Sequence, residues 1–321
     1  DFDIRWLWPS AQAEGALCSC PVTAEALTGA LHALAQQGIE PFGVYVTSPD
    51  YLGGVQDIPA LAAVCRAQGV PLLVDNAHGA YLRFLPQNCH PIAQGAAMCC
   101  DSAHKTLPVV TGGAYLHLAH DAPVQDEAAV RGALALFGST SPSYLILQSL
   151  DACNAVLAGD YPRRLAQCCA ALEGLRRSLN KAAAARQCPL PLAVAGAQQE
   201  PMKLTLDAAA LGCTGTALAD ALRRAQMECE YADPRYVVLM FTPENPPQDY
   251  TRLQTALEQL LAAVPAGLPR PENRAGEFAA LQQQAVQRCT IRQAVLGAQV
   301  RVPVHKALGR VCAMPTVSCP P

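Results

Sequence analysis

Asp101-Ser102-Ala103-His104-Lys105-Thr106-Leu107-Pro108, which follows the apolar run Ala96-Ala97-Met98-Cys99-Cys100, decides how this chain folds. The run predicts a buried strand. A lysine just beyond it, flanked by a hydroxyl, an imidazole and a proline, has no place in an apolar core. It is better explained as a reactive amine held at the rim of a sheet. Upstream, residues 24–37 carry apolar positions at helical spacing and stop at Gly38. Residues 43–47 predict a strand, 57–68 a helix closed by Gly69, and 70–75 a strand ending in the carboxylate of Asp75. Residues 88–95 read as loop and short helix, and 113–118 as a further strand.

Strands without polar alternation, separated by helices, predict an α/β fold with a mostly parallel sheet and helices on both faces. Ligands of such sheets bind outside the carboxyl ends of the strands. The polar residues crowd there: Thr47 and Ser48, Asp75 to His78, Ser102 to Lys105. Farther on, 149–185 predicts one long amphipathic helix or two in succession, with Arg163, Arg164, Arg176 and Arg177 on polar positions. Strand, helix, strand and helix follow at 202–206, 214–224, 237–241 and 247–262, a smaller α+β unit. Residues 272–308 read as helical with a break around 300–304. The expected organisation is a partial large domain over 1–150, linking helices over 151–188, a small domain over 189–264, and a linker with a C-terminal helical segment over 265–321.

The chain has 321 residues, 51% hydrophobic and 15% charged, enough for a sizeable core and without the signature of disorder. A net charge of −3 provides no basic face for nucleic acid. No apolar run reaches the ~18 residues of a membrane span, and no signal peptide is visible. The 15 cysteines include no C-x-x-C pair, which argues against zinc ribbons and thioredoxin-type sites. They read as buried thiols of a cytoplasmic protein.

Asp75 and Lys105 stand about one βαβ unit apart, so both reach the same edge of neighbouring strands. Pyridoxal phosphate requires such a pair: the lysine forms a Schiff base and the carboxylate keeps the pyridine nitrogen protonated. Ser102, His104 and Thr106 are near enough in sequence to contribute to phosphate binding. Taken singly, Asp75 reads as a turn cap, Lys105 as a solvated amine, His78 and His104 as hydrogen-bonding histidines and Ser102 as a helix cap. Their shared location favours the site. Asp75-Asn76-Ala77-His78 invites comparison with a helicase box, but no G-x-x-x-x-G-K-[ST] accompanies it. A metal site from Asp75, His78 and His104 is disfavoured by the adjacent lysine.

The succession Thr47-Ser48-Pro49-Asp50-Tyr51-Leu52-Gly53, Val74-Asp75-Asn76-Ala77-His78-Gly79-Ala80, Ser102-Ala103-His104-Lys105-Thr106-Leu107-Pro108 and Ser139-Thr140-Ser141-Pro142-Ser143-Tyr144 closely resembles the Orn/Lys/Arg decarboxylase family. Lys203-Leu204-Thr205-Leu206, Gly212-Cys213-Thr214-Gly215 and Ala307 to Ala313 agree with it. The resemblance implies a fold-type-I, pyridoxal-phosphate-dependent carbon-carbon lyase of polyamine metabolism, which decarboxylates arginine, lysine or ornithine. It implies that Lys105 carries the cofactor and that Asp75 pairs with the pyridine nitrogen. His78, beside Ala77, would lie near the phenolic oxygen, and Ser102 and His104 would hold the phosphate. Lys105 and His104 are the implied catalytic residues. Ser139, Thr140 and Ser141 would reach the phosphate of a neighbouring subunit, which implies a homodimer or a higher homo-oligomer.

Two residues depart from the family pattern: Asn76 stands where glutamate is common and Ala103 where threonine is common. The family's upstream lobe, with a phosphate-binding loop and a ring-stacking histidine, has no counterpart here, so the resemblance implies a piece truncated at both ends. The alternatives are another fold-type-I activity, an aminotransferase or β-eliminating lyase, and a non-catalytic dimerising fragment. Glu228 and Glu230 are candidate partners for a cationic substrate side chain.

Overall fold

The computed structural model describes residues 3–8, 18–139, 141–265, 268, 286 and 288–310. Local chemistry sets the first elements. Helix α1 (Ala24–Gln36) is capped by Thr23, whose hydroxyl accepts a hydrogen bond from the Ala26 N–H at 3.2 Å. It stops at Gly38, whose φ of +69° suits a residue without Cβ. Helix α2 (Ile58–Ala67) is capped by Asp57 and carries proline in its first turn.

Strands β1 (Val44–Thr47), β2 (Leu72–Asp75), β3 (Met98–Asp101) and β4 (Tyr115–Leu118) form one sheet in that order. Its first three strands are parallel, and β4 returns antiparallel to β3. All four fall on the strands read from sequence, each starting one or two residues later. Val44, Val46, Leu72, Val74 and Cys99 share a core with Leu27 and Leu31 of α1 and Ile58, Leu61 and Cys65 of α2. The alternate residues Tyr45, Thr47 and Cys100 point away from those helices and are exposed, so helical cover of β1–β3 is described on one face.

The region expected to hold one long helix or two holds two. Helix α5 (Tyr144–Ala158) ends at Gly159, and α6 (Tyr161–Ala185) restarts with a proline in its first turn. They are preceded by α4 (Glu127–Phe137), which sequence reading did not anticipate and which buries none of its residues. Arg176 corrects its assignment to a polar face. It is buried, and its guanidinium donates to the carbonyls of Glu200, Pro201 and Lys203.

Strands β5 (Lys203–Asp207), β6 (Tyr231–Ala232) and β7 (Tyr236–Met240) make a second, antiparallel sheet with β7 in the middle. Against it pack α6, α7 (Gly215–Arg224) and α8 (Pro247–Ala263), through Leu172, Leu175 and Leu179, Leu222, and Leu257. Leu172 is fully buried there, so Leu172→Ala should cost about 2–5 kcal/mol. Denaturant melts of the two chains measure this directly.

Helical structure over 288–310 is limited to α9 (Ile291–Leu296) and a 3-10 turn over Val304–Lys306. This corrects the longer helical reading: the extended backbone of Gly297 ends α9, and Pro303, extended as well, separates it from the 3-10 turn. Residues 272–285 and 311–321 lie outside the described residues. Uniformly buried thiols are also corrected. Cys65, Cys99, Cys153 and Cys168 are buried, whereas Cys20, Cys100, Cys213 and Cys289 are exposed. Cys100 is exposed because the pleat turns it to the open face of β3.

Candidate functional site

The parallel register sets Thr47 beside Asp75 and Asp75 beside Cys100, so the turns after β1, β2 and β3 leave the sheet at one edge. Backbone pairing continues past the strands, with Ser48 N–H donating to Asp75 O and Asn76 N–H to Cys100 O, each at 2.9 Å. Asp75 is half-buried and aimed by two donors. The Ala77 N–H reaches Oδ1 at 3.1 Å and the Tyr45 hydroxyl reaches Oδ2 at 3.1 Å. Burial and the Asp75 charge push the Tyr45 hydroxyl up to about 12, so it remains a donor at neutral pH.

Lys105 lies in the short helix α3 (Ala103–Thr106) that follows β3, and it is exposed. Its Nζ stands 3.3 Å from His78 Nε2. Burial, then the nearby Lys203 and Lys105 charges, pull the His78 imidazole down to about 3. A neutral ring accepts a hydrogen bond from Lys105 Nζ at Nε2, so Nδ1 carries the N–H, and that atom is buried without a partner. The ring of Tyr51 meets His78 edge-on at 5.2 Å. Lys105, His78 and Asp75 therefore come from adjacent turns, as their sequence positions suggested.

The His78 shift has a testable sign. The unfolded imidazole takes up its proton first as pH falls, so stability is lost from about pH 6.5 downwards toward the folded value. Between pH 7.5 and 5, the wild-type chain should lose about 2 kcal/mol more than His78→Gln. Parallel pH curves for the two chains would show that His78 carries no such linkage.

The other expected residues divide. The Ser102 side chain makes no capping bond to the α3 backbone, although its carbonyl accepts from the Lys105 N–H at 3.0 Å. The His104 ring donates from Nδ1 to Gly113 O at 3.0 Å, which fixes the imidazole against the start of β4. Thr106 is buried with Oγ1 unpartnered. Ser139 and Ser141 are exposed and bond to each other rather than to the strand ends. Thr140 lies outside the described residues.

Behind the edge, the two turns are tied together. Asn76 is fully buried, and its Nδ2 donates to Asp101 Oδ1 at 2.7 Å. Gly79 is required by this packing, since a Cβ there would stand 2.0 Å from Asn76 Oδ1. Burial would raise the Asp101 carboxyl, but hydrogen bonds from His117, His90 and Asn76 outweigh it and hold the group well below the usual range.

Sequence reasoning gave Lys203 no role. It is buried at the start of β5, donating to Asp50 O at 2.9 Å and Tyr51 O at 3.3 Å, with Nζ 5.5 Å from the Tyr51 ring centre. Burial pulls this amine below its ordinary value, although Glu200, Asp50 and Glu230 oppose the shift. A lysine inside the run Met202-Lys203-Leu204-Thr205-Leu206 was the available signal. Of the acidic candidates, Glu230 accepts from the Tyr51 hydroxyl at 2.8 Å, whereas Glu228 pairs with Arg223 at 3.2 Å. Only Glu230 thus connects to the strand ends.

The donor set fits pyridoxal phosphate on chemistry seen here: an exposed amine, an unpartnered buried Nδ1 beside it, and an oriented carboxylate on the adjoining turn. Comparison with known proteins points the same way. A family model described as Orn/Lys/Arg decarboxylase, major domain, matches residues 6–248. The uncharacterized protein YaaO of Bacillus subtilis is 33% identical over 205 residues, covering 62% of this chain and 41% of that protein. An arginine decarboxylase of Bacillus subtilis is 29% identical over 225 residues, 68% of this chain and 45% of the relative. The constitutive lysine decarboxylase of E. coli shares the fold, with a TM-score of 0.61 at 19% identity over 81% of this chain and 42% of its own. This chain thus spans less than half the length of these three proteins. The family match runs through the first sheet, the Lys105 turn and the second sheet, and the chain belongs to the Orn/Lys/Arg decarboxylase family.

Proposed function

We propose that this chain carries the lysine half of a pyridoxal-phosphate site that decarboxylates a basic amino acid: arginine, lysine or ornithine. The observation that carries this is the Lys105–His78 contact at 3.3 Å, at a sheet edge shared with Asp75. When bound, pyridoxal phosphate supplies an electron-accepting ring to the carbon that loses its carboxylate. Lys105 would hold the cofactor through its amine, and the same amine would supply a proton at Cα. His78 accepts a hydrogen bond from Nζ and so keeps the amine directed at the edge. Asp75, oriented by Ala77 and Tyr45, would hold the proton of the ring nitrogen. Ser102 and His104, which flank Lys105 in the same turn, would hold the phosphate. Glu230, linked through Tyr51, is the nearer candidate for a cationic substrate side chain.

The same reading treats 1–150 as part of the cofactor domain, 151–188 as linking helices, 189–264 as a small domain and 265–321 as a C-terminal segment, in a cytoplasmic homodimer. Leu134, Leu136, Phe137, Tyr144 and Leu145 are exposed around the Ser139 turn, an apolar surface suited to a second copy. Among the described residues, no helix is long and apolar enough to cross a membrane.

The test is to supply pyridoxal phosphate and each basic amino acid, and to measure CO2 with agmatine, cadaverine or putrescine. Transamination or β-elimination alone would move the chain to another fold-type-I activity. Cofactor capture without turnover would make it a non-catalytic member.

A further inference from the structure

Four ligand-type side chains converge behind β3, away from the chemistry proposed above. Asp101 ends β3, Cys99 lies two residues earlier on the same face, and His117 of β4 is paired with Cys99 in the antiparallel register. His90 comes from the turn before β3. His90 Nε2 and His117 Nε2 stand 3.0 and 3.1 Å from one oxygen, Asp101 Oδ2, and their rings cross at 79°. Cys99 Sγ is 3.7 Å from His90 Nε2 and 3.8 Å from Asp101 Oδ1. His90, Cys99 and Asp101 are buried, with His117 at the half-exposed rim.

A carboxylate oxygen accepts two imidazole donors without help, so the hydrogen bonds alone need no ion. The spacing carries more. A tetrahedral ion with bonds of about 2.0–2.3 Å requires its donors about 3.3–3.7 Å apart; one ligand atom each from His90, Asp101 and His117 lie within 4.8 Å of one another, and Cys99 Sγ stands 3.7 Å from His90 Nε2. We propose that His90, Asp101 and His117 bind a transition-metal dication of the zinc class, with the Cys99 thiolate turning in from 3.7 Å beside His90 to close a four-coordinate site, and that the ion pins the turn before β3 to the β3–β4 pair.

The surroundings suit that occupant. Asn76 holds Asp101 Oδ1, which leaves Oδ2 to bind as a single donor with an outer hydrogen bond to orient it. One thiolate and one carboxylate neutralise a dication, so the buried cluster carries no net charge when filled. On binding, the Cys99 thiol loses its proton to solvent and both imidazoles stay neutral. His90 Nδ1 faces the Ile92 N–H at 3.4 Å, and coordination through Nε2 requires this long contact to open. Four protein donors leave no open position, so the ion is structural rather than hydrolytic.

The test titrates the whole chelator-treated chain with Co2+ and follows its visible spectrum. About one Co2+ per chain should bind, with tetrahedral bands and a thiolate charge-transfer band, and Zn2+ should displace it. His90→Ala and His117→Ala should each weaken binding at least about tenfold. Cys99→Ser should keep the tetrahedral bands and lose the charge-transfer band, while His32→Ala on α1 should change nothing. His117→Cys, which supplies another ligand, should bind Co2+ more tightly than His117→Ala and guards against variants that merely misfold. An octahedral spectrum in the wild-type chain, unchanged binding in His90→Ala and His117→Ala, or no rescue by His117→Cys would overturn the proposal.

Discussion

Lys105→Ala should abolish borohydride-trappable attachment of pyridoxal phosphate and lower decarboxylation by at least about 10^4-fold. The size of the effect follows from what the one amine does. In the proposed function this amine would both anchor the cofactor and supply a proton to the substrate carbon. Lys203 is the rival amine, being the other lysine close to His78 and Tyr51. Its Nζ is engaged by two backbone carbonyls in a buried position, so it is poorly placed to attack an aldehyde. Peptide mapping of the trapped adduct separates the two. Attachment at Lys203, or unchanged attachment in Lys105→Ala, would remove the basis of the proposed function.

Asp75→Ala should lower the rate by about 10^2–10^3-fold, the usual effect of losing one preorganised charge beside a reacting system. The carboxylate is half-exposed at a strand end and makes no ion pair with a described residue, so its removal should leave thermal stability nearly unchanged. That combination identifies a cofactor contact rather than a turn cap. Asp75→Asn keeps one acceptor oxygen for the Ala77 N–H, turns an NH2 donor toward the Tyr45 hydroxyl and removes the charge, and it should behave like alanine in rate. A rate for Asp75→Asn near that of the wild type would mean that the charge is not used.

Much of this was legible because the chemistry at the edge is local in sequence. Uninterrupted apolar runs mark β1 to β3, and Asp75 and Lys105 stand where those runs end. Lys203 and Arg176 were not legible, because their burial depends on carbonyls more than a hundred residues away in one case and on the crossing of α6 with β5 in the other. The cluster of His90, Cys99, Asp101 and His117 was hidden for a related reason. Its members are irregularly spaced in the chain and meet only when β4 pairs with β3 and the turn before β3 brings His90 to Asp101. The short β6 has two residues, too few for a period to show. Helix α4 was missed although Asp126 caps it in the ordinary way.

The placement of β4 has a consequence for motion. Among the described residues it is the last strand of its sheet, bonded on one side only, and it closes the connection that carries Lys105 and His104. Amide protons of such a border strand exchange with solvent through local opening, well before the interior ladder of β2 and β3 gives way. Each opening would release His117 and loosen the Gly113 carbonyl that grips His104. A ligand on either side of this strand, metal behind or cofactor in front, would therefore register as slower deuterium uptake across residues 113–118. One peptide in an exchange experiment would then report on both sites at once.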